Sequence, residues 1–213
     1  MKTRLVAAAL LACPLITAAQ SESGGYIRLG AGLSLVEDIE GYSADFAATT
    51  NFELTLDPGL RFDVAPGYNF NRYVGLEFNT GVVWNTVDSI EVEDGRSISV
   101  DGTLWQIPFL ANVILRYPTD IQLTPFVGAG GGGLLMGITV DNTDDIDVYD
   151  RSDDIFGAFQ LFGGLQYEIT ESLSLGLVYK YLHLFSEQED PYDTAGLGDI
   201  TTHSFSAMVS FDF

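Results

Sequence analysis

Apolar and polar residues alternate with a period of two along most of this chain. Ile27, Leu29, Ala31, Leu33 and Leu35 stand against Arg28, Gly30, Gly32 and Ser34, the pattern of a strand with one face against an apolar phase. The same alternation recurs in segments near 25–36, 59–70, 73–84, 103–117, 123–136, 155–169, 173–184 and 202–213. In the second, Leu60, Phe62, Val64, Tyr68 and Phe70 oppose Arg61, Asp63, Gly67 and Asn69; in the seventh, Leu173, Leu175, Leu177, Tyr179 and Tyr181 oppose Ser174, Gly176 and Lys180. Each segment reaches or exceeds the roughly 9–11 residues that a tilted membrane strand needs. The fifth has no readable register, because Gly128 and Gly130 to Gly133 erase the contrast between its faces.

The connections between these segments alternate in length. Short ones fall around Asn71-Arg72, Pro118-Thr119-Asp120 and Thr170-Glu171-Ser172, while the others, near 37–58, 86–102, 138–154 and 186–201, are long. Tight turns at one end and long loops at the other predict an all-β fold, an eight-stranded antiparallel up-and-down transmembrane β-barrel with its short turns in the periplasm. Aromatic positions agree with two interfacial girdles. Tyr68, Phe70, Tyr117, Tyr167, Phe211 and Phe213 fall toward the turn end, Trp84, Trp105 and Phe205 toward the loop end.

The first residues read differently. Lys2 and Arg4 precede an apolar run from Leu5 to Ala18, the layout of a secretory signal peptide over residues 1–19, cleaved after Ala19. A lipoprotein box at Leu10 to Cys13 is the rival reading, disfavoured by Pro14 and by the apolar stretch continuing past it. Removal of the signal would take the only cysteine with it and leave no disulfide or thiol chemistry. No apolar run of helix-spanning length follows, so the membrane domain, residues 20–213, must cross with strands.

With the apolar faces turned to lipid, the opposite faces point inward. They carry Arg28, Arg61, Arg116 and Lys180 together with Asp63, Glu77, Glu168 and Asp212. Isolated charges in a narrow interior are costly, so these eight are expected to form a paired network that plugs the lumen. The remaining charge is sorted the other way: of 30 acidic residues, 23 lie in the four long connections, opposed only by Arg96 and Arg151. Such a surface excludes nucleic acid, whose phosphates need clustered cations. It leaves divalent cations or a cationic surface partner as candidates. Asp141, Asp144, Asp145 and Asp147 form the densest carboxylate group, but their spacing lacks a calcium-loop pattern, and a solvated acidic loop is the simpler reading.

No catalytic residue, cofactor site or firm metal site is assigned. His203 adjoins Ser204, yet neighbours on a strand face opposite sides, and His183 has no serine at a useful spacing. Both read as interfacial histidines.

The motifs "YIRLGAGLSL", "LTPFVGAGGGG" and the closing "SFSAMVSFDF" make the chain resemble the OmpA/OmpX-like small outer-membrane β-barrel family. That resemblance implies residence in the outer membrane among its lipids and lipopolysaccharide. It also implies recognition by the barrel-insertion machinery through Phe205, Val209, Phe211 and Phe213. The sequence stops at the eighth strand, so no cell-wall tether is implied. One barrel hosts many roles, and the expected role is a non-enzymatic structural or surface-contact protein. The alternatives are a narrow OmpW-like conduit or binder for small or hydrophobic solutes, and, less favoured, a lipid A-modifying enzyme.

Overall fold

A computed structural model describes residues 23–45, 48–92, 96–141, 155–185 and 195–213. The described chain is built from strands: β1 (Gly24–Val36), β2 (Ile39–Asp45), β3 (Ala48–Leu56), β4 (Gly59–Asn69), β5 (Val74–Val92), β6 (Arg96–Arg116), β7 (Leu123–Asp141), β8 (Ile155–Thr170), β9 (Leu173–Phe185), β10 (Ala195–Leu197) and β11 (Ile200–Asp212). Eight of them, in the order β4-β1-β11-β9-β8-β7-β6-β5, close through β4–β5 pairing into an antiparallel barrel. First and last wall strands meet from Tyr26↔Asp212 to Val36↔Thr202.

The outer face is apolar because each outward position of these strands would otherwise bring a polar side chain against hydrocarbon. Leu29, Leu33, Phe62, Val64, Leu76, Phe78, Val113, Leu161, Leu175 and Phe205 are all exposed there. Strand pairing also resolves the register that the glycines concealed. Gly128, Gly130 and Gly132 lie opposite the inward Ile114, Asn112 and Leu110, so the bare positions face the lumen. At Gly130 this permits a close approach, since a Cβ there would sit 2.1 Å from Asn112 Oδ1 and 2.2 Å from the Ala111 carbonyl oxygen.

Several connections expected to be loops instead continue the wall. β5 and β6 run for 19 and 21 residues, pairing up to Val92↔Arg96. β2 and β3 form a hairpin whose second strand pairs with the upper part of β5. A strand of 21 residues is about 70 Å long at ~3.3 Å per residue; tilted at ~40° it rises about 50 Å, against an apolar band about 25 Å tall. The barrel therefore extends well past its lipid-facing band at the loop end.

In that extension the two faces exchange character. Val36, Ile39, Leu54, Val87, Leu104, Leu134, Met136, Leu182, Leu184 and Ile200 are buried inside as one apolar cluster, with Phe52, Leu56 and Ile90 packed against it. Outside, Glu40, Glu53, Thr86, Glu91 and Thr139 meet water. The change of side on β5 depends on a slip in pairing between Val87 and Ser89, which occurs against β3 and β6 alike. Val83 and Val87 point inward below it and Ile90 above it, a phase change that only a local irregularity can give a period-two ribbon.

Candidate functional site: the lumen network and the outer rim

The lower lumen holds two ion-paired groups. In the upper one, Arg61 on β4 is completely buried and spans the interior. Its Nε donates to both oxygens of Asp63, at 3.0 and 3.1 Å, and its Nη2 donates to Gln160 Oε1 at 3.0 Å and Asn79 Oδ1 at 3.3 Å. Lys180 Nζ reaches Asp63 Oδ2 at 2.9 Å from β9. One carboxylate thus joins two cations across β4 and β9, with amides from β5 and β8 completing the coordination of the guanidinium. Alternation on each strand turns these side chains toward one another, and low solvent access strengthens each charge-assisted bond.

Nearer the turn end, Arg28 Nη1 pairs with Glu77 Oε2 at 2.8 Å, and the Tyr26 hydroxyl donates to the same oxygen at 3.2 Å. The Arg28 guanidinium lies over the Phe126 and Tyr26 rings, at 5.1 and 5.4 Å, and Arg116 covers Tyr26 at 5.2 Å. Gly67 makes room for that ring; a Cβ in its place would stand 2.3 Å from Tyr26 Cζ. Tyr26 also belongs to a second apolar cluster with Ile114, Phe126, Phe162, Val178 and Met208. Five of the eight charges expected in the lumen therefore sit in these two groups.

The other three are placed differently. Arg116 has no ion-pair partner among the described residues and stacks on Tyr26, and Asp212 is half-buried at the end of β11. Glu168, although on an inward position, is exposed beside the β8–β9 turn and joins neither group. Strand alternation gives a residue's side but not its depth, and a charge at the barrel mouth can keep its water.

Sequence reasoning also passed over a constellation on the outside of the wall at the loop end. His203 on β11 has its Nδ1 2.7 Å from the Tyr179 hydroxyl and its Nε2 2.9 Å from Glu37 Oε1. His183 on β9 repeats the arrangement, with Nδ1 3.1 Å from Thr201 Oγ1 and Nε2 3.6 Å from Asp199 Oδ2. With the proton on Nε2, each imidazole accepts from a hydroxyl and donates toward a carboxylate. The rings interlock as well: Tyr181 stacks on His183 with planes 4° apart, and Phe159, Phe185 and Phe205 pack around them. The partners come from neighbouring strands and from the segments joining β1 to β2 and β10 to β11, so no local motif announced them.

Phe205, Phe211 and Phe213 are exposed on one outer face of the last segment, with Val209 partly covered between them. Among the described residues no cluster of three or more His, Cys, Asp or Glu could hold a metal. Asp144, Asp145 and Asp147 lie outside the described residues, as do the first twenty-two positions with the expected signal peptide; Asp141 ends β7 opposite Asp101.

A family model for the outer membrane protein beta-barrel domain matches residues 5–213. No curated protein matches the chain in sequence. Among solved structures, Neisserial surface protein A is similar at 18% identity and a TM-score of 0.54, over 90% of this chain and 99% of that one. The outer membrane protein OprG from Pseudomonas aeruginosa gives 11% identity and a TM-score of 0.54, over 89% and 96%. The outer membrane protease OmpT from Escherichia coli gives 8% identity and a TM-score of 0.53, over 94% and 100%. At such identities the likeness is one of fold, shared here by proteins with and without enzymatic names.

Proposed function

The chain belongs to the outer membrane protein beta-barrel domain family, and from that membership we propose that it is a closed, non-enzymatic barrel. In this reading it anchors an acidic, strand-built surface outside the cell for structural or adhesive contact. The observation that carries the proposal is the vertical sequence of layers in the lumen. The Arg61–Asp63–Lys180 group spans the interior, and the apolar cluster above it, from Leu110 and Leu134 to Ile200, is buried to within a few per cent. A hydrated ion meets a buried group in which two cations share one carboxylate, and a dry apolar layer, each costly to cross. The same layers argue against a conduit for solutes.

The acidic long connections then serve as the outward face, met by divalent cations or by a cationic partner, while Phe205, Phe211 and Phe213 serve insertion and lipid contact. Residues 1–19 act as the export signal. Purified barrel in planar bilayers is expected to show no steady conductance above the bare membrane. Sustained, stepwise ion currents from the wild-type protein would overturn the reading.

A further inference from the structure

Two neighbouring wall strands are interrupted where they pass into the extension. β1 gives way to β2 at Glu37 and Asp38, and β10 to β11 at Gly198 and Asp199. Above these breaks β2, β3 and β10 form a three-stranded flap, paired from Ile39↔Leu54 to Asp45↔Ala48 and from Ala195↔Ser43 to Leu197↔Gly41. Backbone bonds tie the breaks together, from the Glu37 N–H to the Thr201 carbonyl and from the Gly198 N–H to the Glu40 carbonyl. Both histidines of the chain stand beside them, His183 on β9 and His203 on β11.

We propose that His183 and His203 form a pH-sensitive latch that fastens this flap to the membrane wall in acid and slackens as the pH rises. The same arrangement occurs twice. Nδ1 faces a hydroxyl on the neighbouring wall strand, Tyr179 for His203 and Thr201 for His183. Nε2 faces a carboxylate at a break, Glu37 at 2.9 Å and Asp199 at 3.6 Å. A hydroxyl both donates and accepts. When a ring takes its second proton the hydroxyl turns round to accept from Nδ1, so no bond is lost and an ion pair appears at Nε2. Aromatic rings within about 6 Å favour a cation. Tyr181 and Tyr179 lie 5.5 and 6.0 Å from the His203 ring, Phe185 and Phe159 lie 5.1 and 5.3 Å from that of His183. Among the described residues, the titratable groups facing the two imidazoles are Glu37 and Asp199 from the breaks and Tyr179 and Tyr181 from β9. Of these side-chain types, imidazole is the one whose charge changes between about pH 5 and 8. The imidazolium–carboxylate contacts therefore hold the flap in acid and are lost as the rings give up their charge.

Hydrogen exchange of the folded protein in lipid nanodiscs tests the latch, read at the Glu37 and Gly198 amides and along β2 and β10. Each rate is divided by that of an unstructured amide at the same pH. Protection of these amides should rise about threefold or more between about pH 8 and about pH 5.5, the combined worth of two part-exposed ion pairs. The rise should vanish in the double variant His183→Gln/His203→Gln, which leaves the chain without an imidazole. It should vanish equally in Glu37→Gln/Asp199→Asn, where each amide oxygen still accepts from Nε2 but carries no charge. Either carboxamide change alone should leave part of it. Wild-type protection that stays constant across the interval, or a rise that survives in the histidine-free variant, would overturn the proposal. A gel shift on heating establishes that each variant is folded. Should the histidine-free barrel fail that check, the carboxamide pair decides, and a full rise retained there would overturn the latch.

Discussion

The lower and upper halves of the barrel share strands but solve opposite solvation problems. In the lower half the wall stands in hydrocarbon, so Phe62, Phe78 and Val113 turn out and Arg61, Asp63 and Glu77 turn in, each of the last three buried with a partner. In the upper half the wall stands in water, and it resembles a soluble β-barrel: Leu104, Leu134 and Leu184 fill the middle while Thr86 and Glu53 face solvent. One ribbon serves both because a strand fixes only that neighbours face opposite ways. The phase which side receives the apolar residues is set by the medium outside.

The contrast can be broken most severely at Asp63. Asp63→Ala leaves Arg61 and Lys180 buried without their shared counter-charge and should cost about 3–5 kcal/mol in equilibrium unfolding. Replacing Lys180 by methionine in the same chain should recover part of that loss. In the upper half the equivalent injury is a void: Leu134→Ala should cost about 2–5 kcal/mol while leaving the ion pairs untouched. A matched pair on β5 then separates the two media directly. Phe78→Arg, on the lipid face, should destabilise by about 2–4 kcal/mol in bilayers, whereas Thr86→Arg, eight residues along the same strand, should stay within about 0.5 kcal/mol. Equal penalties would mean that both positions lie in one medium. The smallest effect concerns Glu40, Glu53 and Glu91, which lie directly opposite one another across β2, β3 and β5. Like charges so placed repel, so Glu53→Gln should stabilise by about 0.2–1 kcal/mol, a gain that fades as salt is added.

The lower wall was legible in the sequence because lipid imposes a strict rule on its outward positions. Leu60, Phe62 and Val64, or Leu173, Leu175 and Leu177, could hardly be read otherwise. The upper wall was not, although Phe52, Leu54 and Leu56 alternate as clearly as any membrane strand. Their polar companions sit among acidic residues, and acidic character reads as loop. Inward apolar residues such as Ile114, Val178 and Leu182 also escaped notice, since a closed interior accepts either chemistry provided it is filled. Of the charge network, the residues were legible but the partnerships were not: depth along the axis separates Glu168 from Glu77, and alternation carries no depth. The rim histidines were recognised as interfacial, yet Tyr179 reaches His203 from the neighbouring strand β9 and Glu37 from the segment joining β1 to β2, far away in sequence.

The slip between Val87 and Ser89 works like a frameshift in a two-letter code. Everything beyond it is read in the other frame, so Ile90 lands inside where an unbroken frame would have put it in water. Length changes beyond that point are constrained accordingly. Adding or removing residues in pairs on β5 preserves the message, whereas a single insertion between Ser89 and Val92 would turn the far end of the hairpin inside out.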